Sequence, residues 1–154
     1  MGLEEEAEVR FGYRARVPIG EDRFDQTEVD MQIGEMLVEA KLTECDFQRV
    51  PKERLFRYRD FREVFDESAL PQSEQYFHGY QLIRNVLAAY DRRCAFCVLL
   101  DSRRVDLIEA WYAVMKCVIP VELRTCCKVL TWQELSRVLP GSLRGFLAEK
   151  YGIV

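Results

Sequence analysis

The sequence predicts an α/β fold, a mixed central sheet flanked by helices, formed as a single domain over residues 1–154. Three observations lead there. Segments rich in β-formers come early and are separated by glycine-containing turns. A continuous apolar run, residues 94–100, has the length of a fully buried strand. Stretches with apolar residues at helical spacing alternate with the later strands.

Residues 9–17 (VRFGYRARV) read as extended chain, and residues 20–26 as a polar turn. Residues 27–33 alternate, with Val29, Met31 and Ile33 on one face and Glu28, Asp30 and Gln32 on the other. Gly34-Glu35 supplies a tight turn into a second strand over residues 36–42, which completes a hairpin. Residues 46–66 are dense in arginine and aromatics and are expected to be helical after Pro51. A longer helix is expected over 73–90, where Tyr76, Tyr80, Ile83 and Leu87 recur at helical spacing. The strand at 94–100 precedes a helix over 103–118 and a strand over 124–130. Thr131 and Glu134 form a capping box that opens a short helix ending before Pro140, and residues 142–151 form the last helix.

Hydrophobic residues make up 49% of the chain and charged residues 31%, which excludes a disordered polymer. No apolar run approaches the roughly 18 to 20 residues that span a bilayer. The first residues, MGLEEEAE, are acidic where a signal peptide is basic and then apolar, so no membrane association and a cytoplasmic location are expected. Six cysteines fit small buried hydrophobes in a reducing compartment. Cys94 and Cys97 form a C-x-x-C, but at the start of an apolar strand rather than at a helix N-terminus, and a zinc site lacks two further ligands at regular spacing. Charge is unevenly spread. Residues 1–48 hold 5 Lys+Arg and 13 Asp+Glu, a net −8, while residues 49–154 hold 17 and 13, a net +4. That balance predicts weak nonspecific attraction to nucleic acid for the whole molecule. It leaves room for a local basic surface, or for a homodimer mate or partner chain that supplies DNA affinity.

The chemistry-bearing residues are Asp30 (V-D-M) and Glu39 with Lys41 (V-E-A-K). Glu39 and Lys41 are two apart on a strand and share a face. Asp30 lies nine residues earlier, across the glycine turn, where a hairpin brings it close to Glu39. Two carboxylates and an ammonium suit phosphodiester hydrolysis. The hard oxygens hold Mg²⁺ and leave waters in its shell, and the lysine orients the attacking water and meets charge on the phosphorus centre. The bland alternative is an exposed hairpin face with an ordinary Glu–Lys pair.

The segment TEVDMQIGEMLVEAKLTE resembles the catalytic hairpin of the PD-(D/E)XK nuclease superfamily. With Y-Q-L-I-R-N (residues 80–85), T-W-Q-E-L (131–135) and F-L-A-E-K-Y-G-I (146–153), the likeness extends over residues 9–153 to a bacterial restriction-endonuclease-like family. It implies a restriction-endonuclease-like fold and an Mg²⁺-dependent DNA endonuclease, with Mn²⁺ as a substitute ion. In this sequence Asp30 and Glu39 would bind the metal, with the Ala40 carbonyl as a further ligand. Lys41 would act on the attacking water, Gln81 would face the site and Arg84 would contact phosphate. Val29 stands where the superfamily usually has proline, and the glutamate often lent by a leading helix has only Glu4, Glu5, Glu6 and Glu8 as N-terminal candidates.

Other features carry two readings each. Arg49, Lys52, Arg54, Arg57, Arg59 and Arg62, interleaved with Phe56, Tyr58 and Phe61, form either a nucleic-acid surface, with Arg54 and Arg57 at its centre, or a helix face paired with Glu53, Asp60 and Glu63. Glu44 and Asp46 either join a second metal or cap a strand end. His78 is a weak general-base candidate or a packing residue. The functional alternative to a nuclease is a catalytically impaired nuclease-fold domain that binds or regulates.

Overall fold

The structure is a computed structural model that describes residues 7–154. Its centre is a five-stranded mixed sheet in the order β1-β4-β5-β8-β9. β1 (Val9–Arg14), β4 (Glu28–Ile33) and β5 (Met36–Ala40) form an antiparallel meander. β8 (Ala95–Leu100) pairs parallel with β5, and β9 (Cys127–Thr131) parallel with β8. Between β5 and β8 the chain crosses over through α3 (Tyr80–Arg92), and between β8 and β9 through α4 (Val105–Met115) and α5 (Val121–Cys126). Parallel strands need such crossovers. The fold class read from the sequence is therefore the observed one, a mixed sheet flanked by helices compatible with a restriction-endonuclease-like fold.

β8 is buried at every position, as its unbroken apolar run requires of a strand covered on both faces. Phe96, Val98 and Leu100 join the main core with Leu82, Ile83 and Val86 of α3 and Leu107 and Trp111 of α4. Cys97 and Leu99 face the other way, onto a smaller cluster with Val38, Met31, Trp132 and Leu135. Trp132 and Leu135 belong to α6 (Trp132–Ser136), which opens on the predicted box: the Thr131 side chain accepts from the Glu134 amide, and the Glu134 carboxylate accepts from the Thr131 amide. α7 (Gly141–Tyr151) closes the chain.

Four expectations change. The stretch read as a turn contains β3 (Arg23–Asp25), paired with β2 (Val17–Ile19). The arginine-rich segment forms only two single-turn helices, α1 (Lys52–Leu55) and α2 (Phe61–Val64), because the backbone between them is spent on that hairpin. The Gly20 amide donates to the Arg57 carbonyl, and the Arg59 amide to the Pro18 carbonyl. The helix expected from residue 73 begins at Tyr80, and Tyr76 sits instead in β7 (Tyr76–His78), paired with β6 (Arg49–Pro51). Gly79 separates the two at φ +79°, a left-handed conformation that favours glycine. The strand expected from Arg124 begins at Cys127, because α5 follows Pro120, whose fixed φ suits a helix entry.

The alternation of β4 breaks at Asp30. Val29 enters the main core, whereas Met31 and Ile33 pack on the opposite cluster. β1 and β4 pair on either side of this point, Phe11 with Met31 and Tyr13 with Val29, and Gly12 between them sits at φ +58°. The β4–β5 ladder stops at Met31–Val38, one residue short of Asp30 and Glu39. The sheet opens at the two carboxylates.

Candidate active site

Where that ladder ends, the backbone groups of β5 find other partners. The Ala40 amide donates to Asp30 Oδ2 at 2.7 Å, and the Lys41 amide to the Leu99 carbonyl at 2.7 Å. The Asp30 side chain thus lies against the Ala40 peptide, and the Lys41 carbonyl accepts from the Trp132 indole at 2.9 Å. Asp30 is exposed, whereas Glu39 and Lys41 are 2% and 4% exposed.

A buried carboxylate and ammonium are costly unless paired and hydrogen-bonded. Here they are both. Lys41 Nζ is 3.2 Å from Glu39 Oε1. Gln81 bridges them, donating through Nε2 to Glu39 Oε1 and accepting from Lys41 Nζ through Oε1, each at 2.9 Å. Asn85, one helical turn on, donates to Glu39 Oε2 at 2.9 Å. Burial pushes the Glu39 carboxyl above the usual range. The Asp30 charge pushes the same way, against the opposing pull of Lys41 and Asn85.

The arrangement brings Asp30, Glu39, Lys41 and Gln81 together. Arg84 differs from expectation. It is 3% exposed, its guanidinium donates to Asn85 Oδ1 and to the Glu28 carbonyl at 3.0 Å, and it lies over the Tyr80 ring. Its Nε and Nη2 serve Asn85 and the Glu28 carbonyl, so it braces Asn85. Asn85 itself carries no role in the sequence reading, although it closes the Q-x-x-R-N pattern. Its signal was the spacing of four from Gln81, which puts both amides on one helix face.

Among the described residues no three His, Cys, Asp or Glu side chains form a metal cluster. A divalent cation would have two protein carboxylates here and water for the remainder, a donor set that suits Mg²⁺. Asp30 Oδ1 has no hydrogen-bond partner among the described residues, and Glu39 Oε2 has one. The repulsion that raises the Glu39 pKa is also what a cation would relieve, so these residues fit the ion.

The remaining candidates separate. Glu44 accepts from the Leu42 and Thr43 amides and Asp46 from the Gln48 amide, so both brace the loop after β5. Glu8 pairs with Arg10 at the exposed edge, and Glu4, Glu5 and Glu6 lie outside the described residues. His78 is exposed on β7. Arg59 pairs with Asp60 and Asp91, and Arg62 with Glu67. Arg49, Lys52, Arg54 and Arg57 have no carboxylate partner among the described residues. Three of them lie over aromatic rings instead, Arg49 on Tyr76, Lys52 on Phe77 and Arg54 on Tyr80. Burial pushes the Cys94 and Cys97 thiols up to about 11, which disfavours the reactive thiolate.

No curated protein and no solved structure matches the chain. A family match spans residues 1–152 and takes in the open hairpin, the glutamine-bearing helix and the capped α6 alike. The chain belongs to the family described as "Restriction Endonuclease associating with ARP", a nuclease family whose substrate is nucleic acid.

Proposed function

We propose that the chain is a metal-dependent phosphodiesterase that cuts DNA internally, with Asp30 and Glu39 as the carboxylates for Mg²⁺ or Mn²⁺. The observation that carries this reading is the buried Glu39–Lys41 pair held by Gln81 and Asn85 beside an exposed Asp30. A surface Glu–Lys pair needs no such support. A bound cation would supply charge for the phosphate oxygens and lower the pKa of a water in its shell.

The protein's own groups do the rest. Gln81 fixes both the carboxylate and the ammonium, so Lys41 meets substrate without reorganising. The ammonium donates to Gln81 and pairs with Glu39, and its remaining donor capacity serves to orient the attacking water or a phosphate oxygen. The Ala40 backbone beside Asp30 is the further candidate ligand. The net charge of −4 gives little general pull on DNA. A partner or a second copy that supplies affinity fits this balance, and association with ARP, named in the family description, is the partner we propose.

The alternative, a binding or regulatory domain without turnover, draws on one observation. Both Glu39 oxygens already accept from protein groups, so the pair is electrostatically self-contained.

The test is cleavage of circular plasmid DNA with Mg²⁺ or Mn²⁺, beside calorimetric metal binding. Lys41→Ala should lose roughly a hundredfold to a thousandfold in rate and keep metal binding, since an ammonium is no ligand for a hard cation. Glu39→Ala should lose both. Wild-type protein that binds no metal and cuts no DNA establishes the alternative.

A further inference from the structure

Beside the candidate site lies a recess of about 370 Å³, in the size range of small-ligand pockets. One wall is the β2–β3 hairpin, which contributes Phe24 and Asp25; the other is α1, which contributes Arg54, and the turn after it, which contributes Arg57 and Tyr58. We propose that this recess receives one unpaired nucleotide of a nucleic-acid strand, its base against Phe24 and its phosphate on Arg54 and Arg57. The proposal rests on the nuclease reading for the fate of that strand, though not for its binding.

Four observations converge. Phe24 is 39% exposed, and the Arg16 guanidinium lies over its ring, 4.8 Å from the centre, without lining the recess. The ring is thus braced from outside and open toward a stacking partner. Arg54 and Arg57 are exposed at the mouth with no carboxylate partner among the described residues. Asp25, the anion in the wall, is already saturated. It accepts from the Thr27 amide and hydroxyl and from the Tyr58 and Tyr80 hydroxyls, so it fixes the tyrosines rather than competing for Arg54 and Arg57.

The fourth observation is position. Tyr80, whose hydroxyl bonds to the lining residues Asp25 and Tyr58, connects the recess to the candidate site. Its hydroxyl reaches Tyr58 at 2.9 Å, the Arg54 and Arg84 guanidinium groups both lie over its ring, and the next residue is Gln81. On this proposal a strand bound at Lys41 continues to the recess.

The chemistry selects an unpaired nucleotide over a duplex. In a duplex the base faces are stacked and hidden, and a protein meets ridges of phosphate and groove edges. An open aromatic ring beside two unpaired guanidinium groups in a concavity suits a base with a free face and its own phosphate.

The test is fluorescence anisotropy with a labelled oligothymidylate and with a duplex of equal length, in EDTA so that nothing is cut. The protein is the full chain and its Phe24→Ala, Phe24→Leu and Arg54→Ala/Arg57→Ala variants. These side chains are exposed, and melting curves check that each variant folds. Wild type should bind the single strand more tightly than the duplex. Phe24→Ala should weaken single-strand binding roughly fivefold to a hundredfold, the range of one lost base stack, and Phe24→Leu by nearly as much. The double arginine variant should flatten the dependence of log K on log salt by about 1.4, for two lost single-strand phosphate contacts. Equal single-strand binding by wild type and all variants, or no single-strand binding by wild type, overturns the proposal. Failure of the nuclease reading looks different: the variants lose single-strand affinity as stated while wild type with Mg²⁺ cuts nothing.

Discussion

Asn85 supports the ionised state of Glu39 from inside the protein, against burial and the Asp30 charge. It donates to Glu39 Oε2 and accepts from Arg84, so one amide couples the buried carboxylate to the buried guanidinium. Asn85→Ala removes a donor that favours ionised Glu39 and leaves Arg84 short of an acceptor. Loss of such a supporting contact typically weakens metal binding about 10- to 100-fold, and an unpaired buried group costs about 1 to 3 kcal/mol of stability. The pH dependence follows from Glu39. Burial and Asp30 hold its proton to higher pH than usual, so a metal must displace that proton, and affinity should rise with pH through this elevated range. Without Asn85 the range should move higher still. Calorimetric titration of wild type and Asn85→Ala at several pH values checks both effects; identical pH profiles would remove Asn85 from the site. Asp30, Glu39 and Lys41 were legible in the sequence because strand parity and one turn suffice to group them. The bracing role of Arg84 was hidden because its chemistry suggests phosphate, while its contacts reach residues distant in the chain, among them the Glu28 carbonyl.

α3 carries Gln81, Arg84 and Asn85, and its starting point aims all three. Gly79 fixes that start at φ +79°, and a Cβ there would meet the Val114 side chain at 2.9 Å. Gly79→Ala combines left-handed strain of about 1 to 2 kcal/mol with this overlap against α4. Thermal melting should show at least that loss, and cleavage should fall further than stability because the Gln81 amide shifts with the helix. A variant as stable as wild type would mean that the helix start tolerates another conformation. The element scale also shows where sequence reasoning reached its limit. The capping box at Thr131 is local chemistry and was readable, as was the apolar run that became β8. Tyr76 matched helical spacing, yet its segment is a strand because β6 supplies a pairing partner, Pro51 opposite Tyr76, 25 residues away in sequence. Periodicity reports a face without reporting what lies opposite it. The β2–β3 hairpin was hidden for the same reason: its polar tip reads as loop, while bonds to the Arg57 and Arg59 backbone tie it down.

None of the six cysteines is bridged, so noncovalent contacts hold the fold. The six thiols sample it widely: Cys94 and Cys97 at β8, Cys117 after α4, Cys126 and Cys127 at the α5–β9 junction, and Cys45 in the loop after β5. Only Cys45 is exposed, while Cys97 and Cys117 are buried. Burial pushes the Cys97 thiol up to about 11 and the Cys127 thiol up to about 12, and it raises Cys117 as well. Since the thiolate is the nucleophile, all three are slow by chemistry, and Cys97 and Cys117 by access as well. At pH 7.5 an alkylating agent should therefore modify Cys45 first. Cys97 and Cys117 should react only as the domain opens globally, so their rates should rise together with denaturant and follow the unfolding curve. Peptide mass spectrometry of a timed alkylation series measures this directly. Rapid labelling of Cys97 without denaturant would mean that β8 is not covered on both faces. The parallel β5–β8–β9 core would then open independently of the rest, and the Glu39–Lys41 pair built at its edge would lose its rigid support.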